Sequence, residues 1–288
     1  MLSASHLSFA ETMNDTALGA LNYVSFAIGA YAVILSITAL PNETKKYLRL
    51  WRTRNLRRIW GIKDGDFVIL VCSELDDPEK RQNVEEREYI YNLKYGDVDA
   101  YFEVVITLLR LYPNIRLRVL SSGEAENVRI DMTQHLILIG GPDYNAITEN
   151  FLGKNITQYD YRSPYVKERS TKNPDEIVLY NRVTKEEFCE LTEDKDYGYF
   201  EKIRNPNNPE KHIILIGGCH TTGVTGAVKS FSMAESEQGE IPSVVLNNAK
   251  MAARKIGKNR EFAILVQTEK IGQTINTPVI ESNKISFR

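Results

Sequence analysis

His212-Ile-Ile-Leu-Ile-Gly-Gly-Cys-His-Thr-Thr-Gly-Val-Thr-Gly226 is the stretch that decides the fold of this chain. Its first part is a continuous apolar run, which is typical of a strand buried on both faces of a parallel sheet. The run ends in two glycines and leads into a helical pattern from Thr222 to Ala234. A strand that passes through a glycine turn into a helix indicates a mixed α/β fold.

The same pattern occurs a second time, as His135-Leu-Ile-Leu-Ile-Gly-Gly141 followed by Pro142-Asp-Tyr-Asn145. In parallel sheets, ligands bind at the carboxyl ends of strands, where glycines let the backbone approach a phosphate. The helix that follows offers free N–H groups and a partial positive charge. Two such turns predict a phosphate or nucleotide site. The alternative is that each glycine pair only closes a strand and permits tight helix–sheet packing.

Short apolar runs and helical patterns elsewhere complete the predicted domain. We expect strands at Phe67–Cys72, Arg116–Leu120, Leu136–Ile139, Ile213–Ile216, Phe262–Val266 and Val279–Phe287, helices at Asp97–Tyr112, Thr222–Ala234 and Ser243–Ile256, an extended pair of Ile177–Tyr180 with Tyr199–Ile203, and a long loop over Asn155–Asn173. Alternating strands and helices predict a Rossmann-like α/β fold, a mostly parallel sheet with helices on both faces.

The segment from Ala17 to Leu40 contains no Asp, Glu, Lys, Arg or His. A helix of this length, at about 1.5 Å per residue, crosses a hydrocarbon core of about 30 Å. A buried core helix is usually shorter and amphipathic. A signal peptide normally begins with a basic region, and the residues before Ala17 contain none. The sequence therefore predicts a single N-terminal transmembrane helix.

The charges that follow this segment predict its orientation. Between Asn42 and Lys63 lie eight lysines and arginines against one acid, Glu43. The positive-inside rule then places the C-terminal bulk in the cytoplasm and the N-terminus outside the inner membrane. The basic run is either an ordinary stop-transfer cluster or a segment lying on anionic lipid, with Leu56, Ile59 and Trp60 among the residues entering the interface. We predict an extracytoplasmic stretch (1–16), a transmembrane helix (17–40), a basic juxtamembrane linker (41–63) and a cytoplasmic domain (64–288).

One face of the predicted transmembrane helix carries small or weakly polar residues at steps of three and four. They are Asn22, Ser25, Gly29, Ala32, Ser36 and Ala39. Small residues let helices approach closely in lipid, and Asn or Ser hydrogen-bonds across the contact. The stripe predicts a homo-oligomer, although membrane helices are rich in small residues and a chance stripe is the alternative.

Composition narrows the functional classes. The net charge of −2 averages a basic juxtamembrane run with an acidic domain, which argues against nucleic-acid binding by the domain surface. The three cysteines show no CxxC spacing, so neither a zinc site nor a disulfide framework is predicted. The GxGxxG, Walker A, HExxH and GxSxG patterns are absent from the sequence. We expect a binding protein without a metal, a cofactor or a catalytic residue.

The predicted ligand-binding residues lie at strand ends and in the two glycine turns. They are Ser73, Asp97, Gly140, Gly141, Pro142, Asn145, Arg204, Gly217, Gly218, His220, Thr221, Thr222, Gly223 and Thr225. The glycines are expected to approach phosphates. Asn145 and Thr221 or Thr222 either cap the following helices or contact ligand, and Asp97 is either an N-cap or a ribose acceptor. Arg204 either reaches a phosphate or is solvated.

At these turns the chain resembles the SLOG superfamily, the Rossmann-like group that includes the Lonely Guy phosphoribohydrolases and the DNA-processing protein Smf. The resemblance rests on Gly217-Gly-Cys-His-Thr-Thr-Gly223 and Gly140-Gly-Pro-Asp-Tyr-Asn145. Lonely Guy enzymes carry a catalytic glutamate after a Pro-Gly-Gly-x-Gly-Thr loop. Here no glutamate follows the second turn before Glu235, so the resemblance implies binding rather than hydrolysis.

A transmembrane helix joined to a SLOG-like domain is similar to membrane effectors of bacterial cyclic-oligonucleotide antiphage systems (CBASS) with a STALD sensor. That resemblance implies a domain that senses a cyclic oligonucleotide or a cyclic ADP-ribose isomer, and helices that assemble to disrupt the inner membrane. Two alternatives remain at this stage. One is a membrane-tethered nucleotide N-glycosidase or NAD-cleaving enzyme that uses Asp97, Asp99 or Asp143 at the ribose. The other is a scaffold whose glycines only pack.

Overall fold

The computed structural model describes residues 48–74, 95–154, 156–162, 177–189, 192, 194–234, 240–272 and 274–287. The predicted transmembrane helix and its small-residue face lie outside these ranges. Within them, no helix is both long enough and apolar enough to cross a membrane. The chain divides into two compact units, Met1–Arg52 and Thr53–Arg288, and the second carries the sheet described below.

Eleven strands and six helices are named here among the described residues. The strands are β1 (Phe67–Cys72), β2 (Arg116–Ser121), β3 (His135–Ile139), β4 (Tyr159–Arg162), β5 (Val178–Asn181), β6 (Glu187–Cys189), β7 (Lys195–Asn205), β8 (Asn208–Gly218), β9 (Phe262–Ile271), β10 (Thr274–Ile275) and β11 (Ile285–Phe287). The helices are α1 (48–60), α2 (Tyr95–Leu111), α3 (Ser122–Asn127), α4 (Ala146–Gly153), α5 (Thr221–Lys229) and α6 (Ser243–Ile256), with a short 3-10 helix at Ser282–Lys284.

The central sheet has the strand order β10-β9-β7-β8-β3-β1-β2, with β11 also paired to β9. Its four strands β2, β1, β3 and β8 are parallel neighbours, whereas β7 runs antiparallel to both β8 and β9. A second, antiparallel sheet consists of β4, β5 and β6. The prediction of an α/β fold with a mostly parallel central sheet is confirmed.

Both faces of the central sheet are covered, which explains why its strands are apolar throughout. Val68 and Leu70 of β1 belong to a core with α1, α2, α5 and α6. Ile69 and Val71, which alternate with them, belong to a core with α3, α4 and the small sheet. Successive side chains of a strand point to opposite faces of the sheet. Because both faces are buried here, the strands lack the alternation of apolar and polar residues that is typical of a half-exposed strand.

Four details of the predicted elements are wrong. Ile177–Tyr180 and Tyr199–Ile203 are extended but are not partners, since β5 pairs with β4 and β6 while β7 pairs with β8 and β9. Helix α5 ends at Lys229 rather than at Ala234, and the final strand covers only Ile285–Phe287. Part of the predicted loop at 155–173 is strand β4.

The end of the basic linker folds with the domain instead of lying on lipid. Leu56, Ile59 and Trp60 of α1 are fully buried in the core, at the three-and-four spacing of one helix face. The Trp60 ring meets Phe200 edge-on at 5.3 Å between centroids, and its Nε1 donates to the Phe231 carbonyl at 3.3 Å. These three side chains are therefore unavailable to a membrane interface in this fold.

Candidate functional site

The two glycine turns lie side by side at one edge of the sheet. Strands β3 and β8 are adjacent and parallel, with Ile139 opposite Ile216, so Gly140-Gly141 and Gly217-Gly218 end at the same level. The Gly140 N–H donates to the Ile216 carbonyl at 2.9 Å. Strand β1 ends beside β3. Both glycine turns therefore lie at the carboxyl edge of the parallel strands.

Ser73, Asp97 and Gly140 come together at the centre of this edge. Gly140 has a φ of +96°, the left-handed region that favours glycine. A Cβ atom there would lie 1.7 Å from Ser73 Oγ and 3.0 Å from Asp97 Oδ2. Ser73 Oγ donates to the Ile139 carbonyl at 3.1 Å. Glycine is therefore required at position 140 for two reasons. The backbone is in the left-handed region, and the side chains of Ser73 and Asp97 leave no room for a Cβ atom.

A narrow cleft opens between the turns, and we call it the carboxyl-edge cleft. It is lined by Asp97, Gly141, Asp143, Tyr144, Tyr161, Ile177, Gly218, Cys219, His220 and Val224. Its cavity volume is about 20 Å³, which is room for about one water molecule. Small-molecule sites usually offer about 300 Å³ or more. The cleft in this conformation is therefore too small for a nucleotide.

Tyr161 of β4 fills much of the space between the turns. A Cβ on Gly217 would lie 2.0 Å from Tyr161 Oη, and a Cβ on Gly141 would lie 3.4 Å from its ring. The side chain is fully buried, and burial raises the pKa of the Tyr161 phenol well above its usual range. Sequence reasoning missed this residue because it lies in a segment predicted to be a loop. The signal was present as apolar–polar alternation in Tyr159-Asp160-Tyr161.

The amino end of α5 already holds a carboxylate of the protein. Asp196 of β7 accepts the N–H of His220 at 3.0 Å and that of Gly223 at 2.6 Å through Oδ2. Its Oδ1 accepts the Tyr197 N–H at 2.7 Å. Burial raises the pKa of Asp196, although these hydrogen bonds oppose the rise. Two donors that were expected to hold a ligand phosphate are therefore engaged within the fold, and nothing local in the sequence marked Asp196 as their partner.

Asn145 is a helix cap, one of its two predicted roles. Its Oδ1 accepts the Thr148 N–H at 3.1 Å, and its Nδ2 donates to the carbonyls of Ile139 at 3.0 Å and Val71 at 3.4 Å. The residue is fully buried and ties β1 and β3 to α4. The corresponding cap of α5 is not Thr221 or Thr222, because the N-cap position is His220, without a side-chain hydrogen bond of the capping type.

Several glycines of the second turn pack tightly against neighbouring elements. A Cβ on Gly218 would lie 2.5 Å from the Val224 backbone nitrogen, and one on Gly223 would lie 2.2 Å from the Tyr197 carbonyl oxygen. A Cβ on Gly226 would lie 1.9 Å from Thr268 Oγ1. The packing role that the sequence left open therefore applies to these three positions.

Two predicted site residues lie elsewhere. Arg204 is opposite His212 near the amino end of the apolar part of β8, and its Nε lies 3.3 Å from Glu261 Oε1. Thr225 is buried on α5 and lines a different cavity, together with Asp99 and Lys229. Pro142 is buried in the first turn, and Thr221 and Thr222 are half-buried in the first turn of α5.

The charges of the carboxyl-edge cleft favour hydroxyl groups over phosphates. Asp97 and Asp143 contribute two carboxylates to its lining, against one histidine, His220. Carboxylates accept hydrogen bonds from sugar hydroxyls, as the ribose-binding acid of dinucleotide sites does, and they repel phosphate. No group of three His, Cys, Asp or Glu side chains within the described ranges is arranged to hold a metal ion.

The three cysteines differ in exposure. Cys72 and Cys219 are buried, and Cys189 of β6 is half-buried. Burial raises the pKa of the Cys72 thiol to about 12 and also raises that of Cys219. The Cys219 thiol donates to the Phe188 carbonyl at 3.2 Å, which ties the second glycine turn to the small sheet. A buried thiol of raised pKa is a poor nucleophile.

Comparison of the chain with protein-family models found no match, and comparisons with curated proteins and with solved structures found none either.

Proposed function

We propose that this chain is a membrane-anchored effector that binds a nucleotide second messenger at the carboxyl-edge cleft. The messenger would be a cyclic oligonucleotide or a cyclic ADP-ribose isomer. Its binding would assemble the predicted transmembrane helices and disrupt the inner membrane in antiphage defence. The apolar segment Ala17–Leu40 and the SLOG-like motifs of the two turns support this proposal.

The observation that carries the proposal is the meeting of Ser73, Asp97 and both glycine turns at the carboxyl edge of three parallel strands. Ligands of open α/β sheets bind at this edge. The carboxylates of Asp97 and Asp143 suit the ribose hydroxyls of a nucleotide, and the Tyr161 ring offers a stacking surface for a base. The phosphates would then lie toward solvent, away from these acids.

Tyr161 supplies a means of gating. Because its ring occupies the space between the turns, a nucleotide enters only if Tyr161 and its strand β4 move. A ligand shifts such an equilibrium only through its higher affinity for one of the two states. The bound state would therefore differ from the closed state in the position of the small sheet, and that difference would promote assembly.

The test is thermal unfolding of the full-length chain in a non-ionic detergent with cyclic di- and trinucleotides, cyclic ADP-ribose isomers, NAD and nucleoside monophosphates. A ligand that binds only the folded state raises the melting temperature by mass action. We expect one cyclic species to raise it by several degrees and to be recovered unchanged. No shift with any cyclic species would contradict the proposal.

Asp97→Asn and Asp99→Asn form a matched pair for the same assay. Both lie on α2, but Asp97 lines the carboxyl-edge cleft while Asp99 lines another cavity. We expect Asp97→Asn to weaken the affinity for the ligand by about tenfold or more, because a charged hydrogen-bond acceptor is lost, and so to reduce the rise in melting temperature. Asp99→Asn should leave it unchanged, and equal effects would remove Asp97 from the site.

A second candidate function is nucleotide N-glycosidase or NAD cleavage by the same cleft. It is favoured by the presence of two carboxylates, Asp97 and Asp143, in one small cavity. Such an enzyme would release nicotinamide or a free base from the ligand. Chromatography of each incubated nucleotide distinguishes turnover from binding, and full turnover by Asp97→Asn would exclude Asp97 from that chemistry.

A further inference from the structure

A second cavity lies at the opposite end of the central sheet, and we call it the amino-edge pocket. Its volume is about 600 Å³. It is formed by the end of α1, the turn before β1, the first residues of β3, the polar start of β8 and the turn before β9. Seven lysines and arginines line it, against the two carboxylates of Asp66 and Glu210.

One of these carboxylates is neutralised by groups of the pocket itself. Asp66 accepts from Lys211 Nζ at 3.0 Å, and its other oxygen lies 3.3 Å from His135 Nε2. The His212 N–H donates to His135 Nδ1 at 3.1 Å, which leaves the His135 proton on the side of Asp66. Lys211 and Asp66 thus satisfy each other and leave an excess of positive charge elsewhere in the lining.

Five cations of the pocket have no carboxylate partner among the described residues. They are Arg58, Lys63, Lys202, Lys258 and Arg260. Like charges gathered around one cavity repel each other, and an anion in the cavity removes that repulsion. Arg58, Lys258 and Arg260 reach the pocket from two different segments, α1 and the turn before β9.

Lys202 is the innermost of these cations. It is only 4% exposed, its Nζ donates to the Arg58 carbonyl at 3.0 Å, and it stands 4.8 Å from the centroid of the Phe262 ring. Burial, Arg58 and Arg260 lower its pKa to about 7. A buried lysine without an acidic partner is costly, and such a group in the lining of a cavity marks a candidate functional site.

The backbone and a histidine close the pocket around Lys202. Gly61 has a φ of +65°, and a Cβ there would lie 2.7 Å from Lys202 Nζ and 3.3 Å from His212 Cδ2. The His212 Nδ1 atom is buried and has no hydrogen-bond partner within the described part of the chain. Burial and the nearby cations lower the pKa of His212 to about 4, so the ring is neutral at pH 7 and adds no charge to the pocket.

We propose that the amino-edge pocket binds a phosphate-bearing anion, held by Lys202, Arg58, Lys258 and Arg260. The volume admits a pyrophosphate, a nucleotide or the headgroup of an anionic phospholipid. Arginine and lysine bind phosphate through charge-assisted hydrogen bonds. This site is separate from the carboxyl-edge cleft, since the two lie at opposite ends of the parallel strands.

The test uses the full-length chain in a non-ionic detergent, with inorganic pyrophosphate in one arm and dihexanoyl-phosphatidylglycerol in the other. Dihexanoyl-phosphatidylcholine is the zwitterionic control. We expect a saturable rise in melting temperature with pyrophosphate or phosphatidylglycerol and none with phosphatidylcholine. Binding of pyrophosphate identifies a free phosphate as the source, and binding of phosphatidylglycerol alone identifies the lipid headgroup.

A Lys258→Gln, Arg260→Gln double variant tests the location, because both residues are exposed and their replacement spares the core. We expect about tenfold weaker binding or more in this variant, and unchanged binding in Arg118→Gln, an exposed arginine on the edge strand β2. Absence of binding in both arms would overturn the proposal. Equal binding by the double variant and Arg118→Gln would overturn it as well.

Discussion

Gly226 and Gly153 are expected to respond in opposite ways when a methyl group is added by substitution with alanine. Gly226 faces the buried Thr268 of β9 across the α5–sheet contact, whereas a Cβ on Gly153, at the end of α4, would meet nothing within 4 Å. Whether alanine is tolerated therefore depends on the neighbouring element and cannot be read from the glycine itself.

We predict that Gly226→Ala lowers the free energy of unfolding by about 1–3 kcal/mol, because the added methyl overpacks a fully buried contact. Gly153→Ala is predicted to be neutral, or to stabilise by up to about 1 kcal/mol, because it reduces the entropy of the unfolded chain. Thermal melts of both variants in parallel check the pair. A similar loss in both would mean that the close approach of α5 to β9 is not required.

Lys202 makes stability depend on pH. The folded pKa of about 7 lies below the ordinary value of 10.5, so the unfolded chain binds more protons between these two pH values. Below pH 7 the protein pays the full free-energy cost of burying the Lys202 charge. This cost decreases between pH 7 and pH 10.5, by at most about 1.4 kcal/mol per pH unit. Stability should therefore rise with pH on account of this residue.

Lys202→Met removes that pH dependence. In phosphate-free buffer, we predict that the unmodified chain gains about 2–3 kcal/mol relative to Lys202→Met between pH 7 and pH 9. Melting curves at four or five pH values measure the difference, in which the contributions of all other titrating groups cancel. A difference that does not change with pH would contradict a lowered Lys202 pKa.

At the scale of elements, Asn145 joins a helix to two strands. We predict that Asn145→Ala destabilises the unliganded protein by about 2–3 kcal/mol, because a cap is lost and two buried carbonyls lose their donor. Asn145→Asp keeps the cap oxygen but places a carboxylate against the carbonyls of Val71 and Ile139, so it should destabilise as well. Unchanged melting of both variants would instead favour a role in contacting ligand.

The sequence predicted the elements that bury apolar side chains. It failed at elements that bury polar or charged side chains. Strands β1, β3 and the end of β8 are short apolar runs, so their positions followed directly, whereas the adjacency of β3 and β8 that brings both glycine turns together was not predicted. Strand β7 covers Lys195–Asn205, but only Tyr199–Ile203 was predicted, because the missed ends contain the buried polar residues Asp196 and Asn205. Glu201 accepts the Tyr159 N–H at 3.1 Å from β4, a long-range contact that hydropathy cannot reveal.

The candidate site shows the same division. Ser73, Gly140 and Gly141 could be assigned to the carboxyl edge because each follows a strand of the predicted parallel sheet, whereas Asp97 lies on helix α2. Asp196 and Tyr161 could not, since each enters the site from a strand that is not part of either glycine motif. The position of Arg204 at the other end of the sheet depends on the antiparallel β7–β8 hairpin, and its turn contains the Asn-Pro-Asn-Asn segment that suggested only a rigid loop.

At the scale of the whole molecule, the proposed function needs the apolar segment 17–40 to hold the chain in a membrane. We predict that the full-length chain stays with the membrane after alkaline carbonate extraction and that a chain lacking residues 17–40 does not. Gly29→Leu should stay in the membrane but give fewer cross-linked oligomers, because it blocks close helix approach. Oligomers unaffected by Gly29→Leu would exclude this face as the contact.

The unequal burial of the three thiols makes the domain convenient to observe. A maleimide fluorophore should modify Cys189 in the native protein much faster than the buried Cys72 or Cys219, since accessible thiols react first. Strand β6, which carries Cys189, pairs with β5, and β5 pairs with β4. A dye at this one position would sit two strands away from Tyr161 and report, by a change in its emission, whether the ring leaves the cleft when a nucleotide is added.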